Sequence, residues 1–196
     1  MLAEDKVIRE VFHVKRGDTL PYTPWGGATR ENLLQIFAKL GYTRGAEIGV
    51  AEGRFSEAMH KAIPGLQLMS IDPWQAYGRI SQRICDERYN RAVQRLGGLD
   101  GVTIIRKTSA EAARDVPDGS LDFIFIDGDH SFDAVMLDLL LWAPKVRRHG
   151  IVSGHDFYEF YGSGVVTAVE AYVRAHAIPE WYITREKEAS WLWVKR

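Results

Sequence analysis

The sequence predicts an α/β protein: a doubly wound, mostly parallel sheet of seven strands with an antiparallel pair at its C-terminal edge. Three observations predict it. Short β-rich runs alternate with longer helical patterns from residue 45 onward, the rhythm of a parallel sheet with helices on both faces. The run LDFIFID is apolar at nearly every position, as a strand buried on both faces must be. Near the C-terminus, the runs EWYIT and SWLWVKR are joined through the short polar REKEA, which suits an antiparallel return.

Taken in order, residues 1–27 read as irregular and include the turn-rich stretch TLPYTPWGG. A helix is predicted over Arg30–Leu40, ended by Gly41 as its C-cap. Strands are predicted at Gly45–Val50, Gln67–Asp72, Val102–Arg106, Leu121–Asp127 and Gly150–Gly154. Between them lie the helical stretches Arg54–Ala62, Ser81–Leu96, Ser109–Ala113 and Phe132–Val146, and a last helix covers Gly164–His176. No repeat or composition shift divides the chain. It reads as one domain over residues 1–196, with residues 1–44 as an N-terminal cap or lid and residues 45–196 as the core. Trp191 and Trp193 alternate around Leu192, so both are assigned to packing on one face of the terminal strand.

Composition narrows the function. Lys and Arg total 25 against 26 Asp and Glu, a net charge of −1. That balance offers no basic face for a nucleic-acid partner or an anionic membrane. A single cysteine, Cys85, excludes an internal disulfide framework and a cysteine-rich zinc module. No stretch approaches the roughly 20 apolar residues of a membrane span, and the first residues lack the apolar run of a secretory signal. A soluble, cytoplasmic protein is the expectation.

The segment AEIGVAEGRFSEAM reads as strand, tight turn and helix. Gly49 and Gly53 would let the backbone turn sharply and approach a ligand. The dinucleotide fingerprint Gly-x-Gly-x-x-Gly fails here, because Arg54 occupies its last position. An acid followed by small residues at every second position does fit: Glu47, Gly49, Ala51 and Gly53. At this turn the chain resembles the class I S-adenosylmethionine-dependent methyltransferases, with Ala51 in place of the usual middle glycine. The resemblance implies a Rossmann-like fold, a turn that holds the methionine part of S-adenosyl-L-methionine, and an orienting role for Glu47.

LMSIDPW places Asp72 at a strand end, 23 residues after Gly49. A carboxylate there can accept two hydrogen bonds from a ribose diol, and Trp74 can stack on a base or wall its pocket. The alternative is that Asp72 caps the turn and Trp74 packs in the core. The resemblance implies ribose binding by Asp72 and places Ser109 and Ala110 near the adenine, although Ser109 also suits a helix N-cap.

Asp127, Asp129 and His130 end the fourth strand, and His155 and Asp156 end the fifth. Ends of neighbouring strands are about 5 Å apart, so these groups would share one crevice. Carboxylates so close raise one another's pKa unless a cation lies between them. Oxygen ligands favour magnesium, calcium or manganese, and a histidine tilts the choice toward a transition metal. The blander readings are that Asp129 caps the next helix, that His155 orients Asp156, and that Asp127 contacts the cofactor.

IDGDHSF followed by GHDF is similar to the small metal-dependent O-methyltransferases, macrocin-type enzymes and, more distantly, catechol O-methyltransferase. That resemblance implies Asp127, His155 and Asp156 as ligands of a divalent metal (magnesium or manganese) and His130 as general base. His155 departs from the family, which carries an acidic residue there. The expected activity is metal-assisted methylation of a hydroxyl on a small molecule, a sugar diol or catechol-like acceptor. The alternatives are a metal-independent N- or O-methyltransferase and a non-catalytic cofactor-binding module. Tyr22, Trp25, Tyr158 and Tyr161 are candidate acceptor contacts. A homodimer is a further expectation, since the short N-terminal cap leaves a site that a partner subunit could complete.

Overall fold

The computed structural model describes residues 2–15, 18–23, 27–78, 80–160 and 162–196; Trp25 and Tyr161 lie outside the described residues. The strands are β1 (Arg44–Ile48), β2 (Gln67–Ile71), β3 (Val102–Ile105), β4 (Leu121–Ile126), β5 (Val146–Gly154), β6 (Tyr182–Ile183) and β7 (Trp191–Val194). They form one sheet in the order β3-β2-β1-β4-β5-β7-β6. The first five are parallel. β7 runs antiparallel to both of its neighbours, β5 and β6. The expected C-terminal pair is therefore present, with β7 inserted between β5 and the edge.

The helices are α1 (Ala3–Val11), α2 (Arg30–Lys39), α3 (Arg54–Ala62), α4 (Gln82–Leu96), α5 (Ser109–Ala113), α6 (Phe132–Trp142) and α7 (Val165–Ala175). β4 shows how they are sorted. Its isoleucines, Ile124 and Ile126, pack with Val152, Trp191 and Trp193 against α5, α6 and α7. Its phenylalanines, Phe123 and Phe125, face α1, α2 and α3. Phe37 stacks on Phe123 at 4.2 Å and Phe55 meets Phe125 at 4.4 Å. Full burial of each such ring contributes about 1.5–3 kcal/mol, so β4 is the strand that joins the two layers. Trp191 and Trp193 stack at 5.1 Å, as packing residues.

Several boundaries differ from expectation, β5 among them, which begins at Val146 rather than Gly150; two have a cause that is plain in the sequence. Residues 3–11 form α1 where an irregular segment was expected. Val7, Ile8, Val11 and Phe12 recur at helical spacing, and Ile8 and Phe12 are fully buried. α1 packs on α2, and both contribute to the core on the phenylalanine side. The other boundary is α6, which stops at Trp142 rather than Val146, followed by a 3-10 turn over Ala143–Lys145. Pro144 cannot continue the helix because it lacks a donor and its ring clashes with the preceding turn. Lys195 Nζ donates to the freed carbonyls of Ala143, Pro144 and Val146 at 2.9, 3.0 and 2.7 Å.

Among the described residues no helix is long and apolar enough to cross a membrane. β1 and β4 are adjacent although three helices and two strands separate them in the chain, which makes their C-terminal ends the topological switch point where open α/β sheets bind ligands.

Candidate functional site

The turn after β1 lies over the end of β4. Gly49 has φ +91°, and a Cβ there would lie 2.1 Å from the Asp127 carbonyl oxygen. Only glycine tolerates both the left-handed backbone and the close approach. The carboxylate of Asp72 then holds the turn. Its Oδ2 accepts from the Val50 and Ala51 N–H groups, each at 3.0 Å, and its Oδ1 accepts from Trp74 N–H at 2.7 Å. Trp74 Nε1 donates back to the Ala51 carbonyl at 2.8 Å. An acid is needed at position 72 because the donors converge on both oxygens, and an amide nitrogen would face one of them. Asp72 thus builds the loop, with lone-pair capacity left for a ligand.

The loop walls a cavity of about 370 Å³. Of the expected cofactor contacts, Gly49, Ala51, Asp72, Trp74, Ser109, Ala110 and Asp127 line it, and Glu47 and Gly53 do not. Gly53 begins α3 at φ 76°, and a Cβ there would press on Leu96 Cδ1 at 2.8 Å, so it serves the packing of α3 on α4. Glu47 is buried beneath the loop, where Ser56 donates to its carboxylate and Ser56 meets Ser70 at 2.8 Å. Burial raises the Glu47 carboxyl to about 8 despite the Ser56 hydrogen bond.

The far end of the cavity differs from expectation. The N-cap of α5 is Thr108, which accepts from Glu111 N–H at 3.3 Å and receives the Glu111 carboxylate on its own N–H at 3.0 Å. Ser109 is therefore free for another task. It accepts from Trp142 Nε1 at 2.8 Å and donates to Asp138 Oδ1. Asp138 lines the cavity and is 6% exposed. Burial raises its carboxyl to about 6, against the Ser109 hydrogen bond. Sequence reasoning missed Asp138. The signal was a lone carboxylate inside the apolar run VMLDLLLW.

At the ends of β4 and β5, four side chains converge. His130 Nε2 lies 2.9 Å from Asp156 Oδ2 and 3.8 Å from Asp127 Oδ1. His155 Nδ1 lies 3.4 Å from Asp156 Oδ1 and 3.9 Å from Asp127 Oδ1. Asp156 adopts φ 57°, a left-handed conformation that aspartate tolerates better than most residues. The Asp127 and Asp156 carboxylates push the His130 imidazole up to about 10. Burial alone would raise Asp156, but hydrogen bonds from His130 and His155 hold it well below the usual carboxylate range. Burial raises Asp127.

Among the described residues, ligand atoms of Asp127, His130 and Asp156 all lie within 4.8 Å of one another. The histidine in this tightest group is the one expected as base, while His155, expected as a ligand, flanks both carboxylates and is 8% exposed. Asp129 stands apart: its Oδ1 accepts from Ser131 N–H at 2.7 Å, and Ser131 caps α6.

The loop after Asp156 places Phe160 edge-on to His130 at 5.7 Å, with Tyr158 stacked on Phe160 at 4.7 Å. Phe160 was not singled out from the sequence, because nothing distinguishes it there from its aromatic neighbours. Tyr22 is held elsewhere. Its backbone bonds to Trp181 and Ile183, and its ring packs between Tyr182 at 5.4 Å and the Arg9 guanidinium at 4.3 Å.

A doubly wound sheet with a glycine-turn cavity at its switch point is the architecture of the class I S-adenosylmethionine-dependent methyltransferases. Residues 46–157, more than half of the chain, match the model of a family described as "Methyltransferase domain", and the chain belongs to that family. The chain is similar to the uncharacterized protein y4gI of Sinorhizobium fredii (strain NBRC 101917 / NGR234), with 29% identity over 119 residues, 57% of this chain. It spans 12% of the length of that curated relative.

Solved structures share the fold. The O-methyltransferase from Bacillus cereus in complex with SAH aligns with a TM-score of 0.63 and 14% identity, covering 98% of this chain and 90% of that one. Cofactor-bound Rv0187 from MTB aligns at 0.60 and 14% identity, covering 99% and 88%. A spermidine synthase from Thermotoga maritima aligns at 0.58 and 15% identity, covering 86% and 60%. A sheet shared by enzymes of such different reactions leaves the acceptor to be argued from the site.

Proposed function

We propose that this chain transfers the methyl group of S-adenosylmethionine to a hydroxyl of a small molecule, with a divalent cation held by Asp127, His130 and Asp156. One observation carries the reading: Asp127 belongs both to the cavity behind Gly49 and to the cluster of ligand atoms. A sulfonium bound along the glycine turn would have its methyl group next to the charged centre. The Bacillus cereus structure in complex with SAH supports this choice of cofactor for the fold.

The donor set fits a divalent cation. Two carboxylates suit magnesium or manganese, and the imidazole moves the balance toward manganese. When bound, such a cation supplies Lewis acidity that makes a neighbouring hydroxyl easier to deprotonate. The chain's own groups do the rest. Gly49 and the Asp72-held turn would fix the sulfonium, so that the acceptor oxygen, methyl carbon and sulfur are aligned; such positioning supplies roughly 7–11 kcal/mol of a barrier of this type. The S–CH3 bond breaks as the O–CH3 bond forms, the electron pair of the broken bond stays on the sulfur of S-adenosylhomocysteine, and the hydroxyl proton passes to solvent water. His155 braces both carboxylates, and Phe160 and Tyr158 wall the side where an acceptor ring would lie. Vicinal oxygens, as in a sugar diol or a catechol, match a centre with two carboxylates and a cation.

A second reading keeps His130 as general base without a metal. The 2.9 Å contact with Asp156 favours it, since a carboxylate so placed orients an imidazole and raises its basicity. Calorimetry with S-adenosylhomocysteine, and separately with manganese and magnesium, distinguishes the readings on wild type and Asp156→Asn. The expected result is cofactor binding by both proteins and metal binding by the wild type alone. Metal binding unchanged in the variant overturns the ligand assignment. Turnover that survives a chelator favours His130 as base. Absence of cofactor binding in the wild type overturns the methyltransferase reading.

A further inference from the structure

We propose that Arg30, at the start of α2, binds a carboxylate on the methyl acceptor, so that the substrate is an anionic hydroxy compound. The inference rests on the reading above, that a methyl acceptor lies over the centre of Asp127, His130 and Asp156. It adds the chemical class of that acceptor.

The start of α2 is fixed by the segment that joins β6 to β7. Arg185 N–H donates to the Ala28 carbonyl at 2.8 Å, and Glu186 Oε1 accepts from Arg30 N–H at 2.7 Å. The Arg30 side chain lies on Phe55, its Cζ 5.3 Å from the ring centroid. Phe55 meets Phe125 at 4.4 Å, and Phe125 meets His155 at 6.2 Å. These rings lead from Arg30 to the flank of the two carboxylates. The Arg30 charge is felt there: it favours the ionised form of Glu47 and opposes protonation of His155. Arg30 does not line the cavity behind the Gly49 turn. It stands on the α2 side of the centre, beyond His155.

What Arg30 lacks is a counter-ion. Among the described residues no carboxylate pairs with its guanidinium. Glu186 uses Oε1 on Arg30 N–H and on the Thr184 and Ser190 hydroxyls, and Glu31 accepts from the Thr29 hydroxyl. Stacking on Phe55 covers one face of the guanidinium and leaves its in-plane N–H donors open. A planar fork of donors matches a carboxylate, two N–H groups to two oxygens. A partly buried charge without a partner is costly, and an anionic acceptor supplies the partner. The acceptor then lies with its hydroxyls over the centre and its acid group toward α2.

The probes are two pairs of vicinal diols that differ in a carboxylate: 3,4-dihydroxybenzoate against catechol, and glucuronate against glucose. Each is titrated by calorimetry into protein saturated with S-adenosylhomocysteine and manganese. In at least one pair the wild type is expected to bind the acid more tightly by roughly 10- to 100-fold, the range for hydrogen bonds to charged groups. Arg30→Met, which still covers Phe55, is expected to erase that preference, with the neutral compound staying within about threefold of its wild-type affinity. Arg30→Lys, which keeps the charge without the planar fork, is expected to retain part of it. A packing role would weaken both members of a pair alike, and that result overturns the proposal. So does the absence of any preference for the acid in both pairs, binding of neither member included, and so does a preference that survives Arg30→Met. If Arg30→Met does not fold, Arg30→Lys decides: an undiminished preference overturns the proposal. Titration of S-adenosylhomocysteine alone distinguishes the two sources of a carboxylate. Arg30→Met is expected to bind it as the wild type does; a loss of about tenfold or more would assign Arg30 to the amino-acid end of the cofactor and overturn the proposal. Absence of S-adenosylhomocysteine binding by the wild type overturns the cofactor reading, and this proposal with it; cofactor binding without a preference for the acids overturns this proposal alone.

Discussion

At the ends of β1 and β2 the cleft is shaped by backbone; at the ends of β4 and β5 it is shaped by side chains. In the first region Gly49 turns against the Asp127 carbonyl, and Asp72 collects three main-chain N–H groups. In the second, two carboxylates and two imidazoles meet across a strand pair, with little backbone bonding among them. A backbone-built wall tolerates few substitutions but carries little net charge. A side-chain centre can change its charge when a proton or a cation arrives. The difference teaches where rigidity and where reactivity reside in this cleft.

The largest effect should come from breaking the backbone wall. Gly49→Ala places a Cβ 2.1 Å from the Asp127 carbonyl oxygen at φ +91°. The strained backbone alone costs about 1–3 kcal/mol, and the clash adds to it. Thermal melting should show marked destabilisation and calorimetry no binding of S-adenosylhomocysteine. A variant that melts and binds like the wild type would mean that the turn is not fixed by its backbone.

Asp72→Asn is the intermediate case. Whichever way the amide lies, its NH2 faces a main-chain donor, leaving an unsatisfied group at about 1–3 kcal/mol. Affinity for S-adenosylhomocysteine should fall roughly 5- to 100-fold, while manganese affinity stays as in the wild type. A parallel loss of metal binding would show that the two regions are coupled rather than separately built.

The smallest effect concerns charge in the second region. The His130 pKa is raised from 6.5 to about 10 by Asp127 and Asp156. A group whose folded pKa is raised contributes stability that is fully present below its unfolded value and is lost as pH rises through the folded one. In metal-free protein the melting temperature should therefore decline from pH 7 to pH 10, by a modest amount because the side chain is 37% exposed. His130→Gln should lack this slope, and manganese should flatten it by taking the place of the proton. A wild-type curve without the slope would show that His130 is not paired with the carboxylates.

Much of the fold was legible because its signals are local. β4 reads from seven consecutive residues, and the turn at Gly49 from a pattern of small side chains. Pro144 and the spacing of Val7, Ile8, Val11 and Phe12 were equally local, so the end of α6 and the existence of α1 could have been read as well. The candidate site was legible as an inventory of acids and histidines at strand ends. It was not legible as geometry, because Asp127 and Asp156 lie 29 residues apart in the chain and meet only when β4 pairs with β5.

By itself the sequence determined the alternation of strands and helices, the glycine turn, and the acids at the ends of β2, β4 and β5, since each follows from residue type and short-range spacing. Only the tertiary structure decided what those residues do for one another. It bound Asp72 to the Val50, Ala51 and Trp74 amides, drew His130 closer than His155 into the carboxylate group, and joined Trp142, Ser109 and Asp138 across two helices. The physical reason is that a hydrogen bond or ion pair depends on distances of about 3 Å, and for groups far apart in the chain such distances are set by sheet register and helix packing.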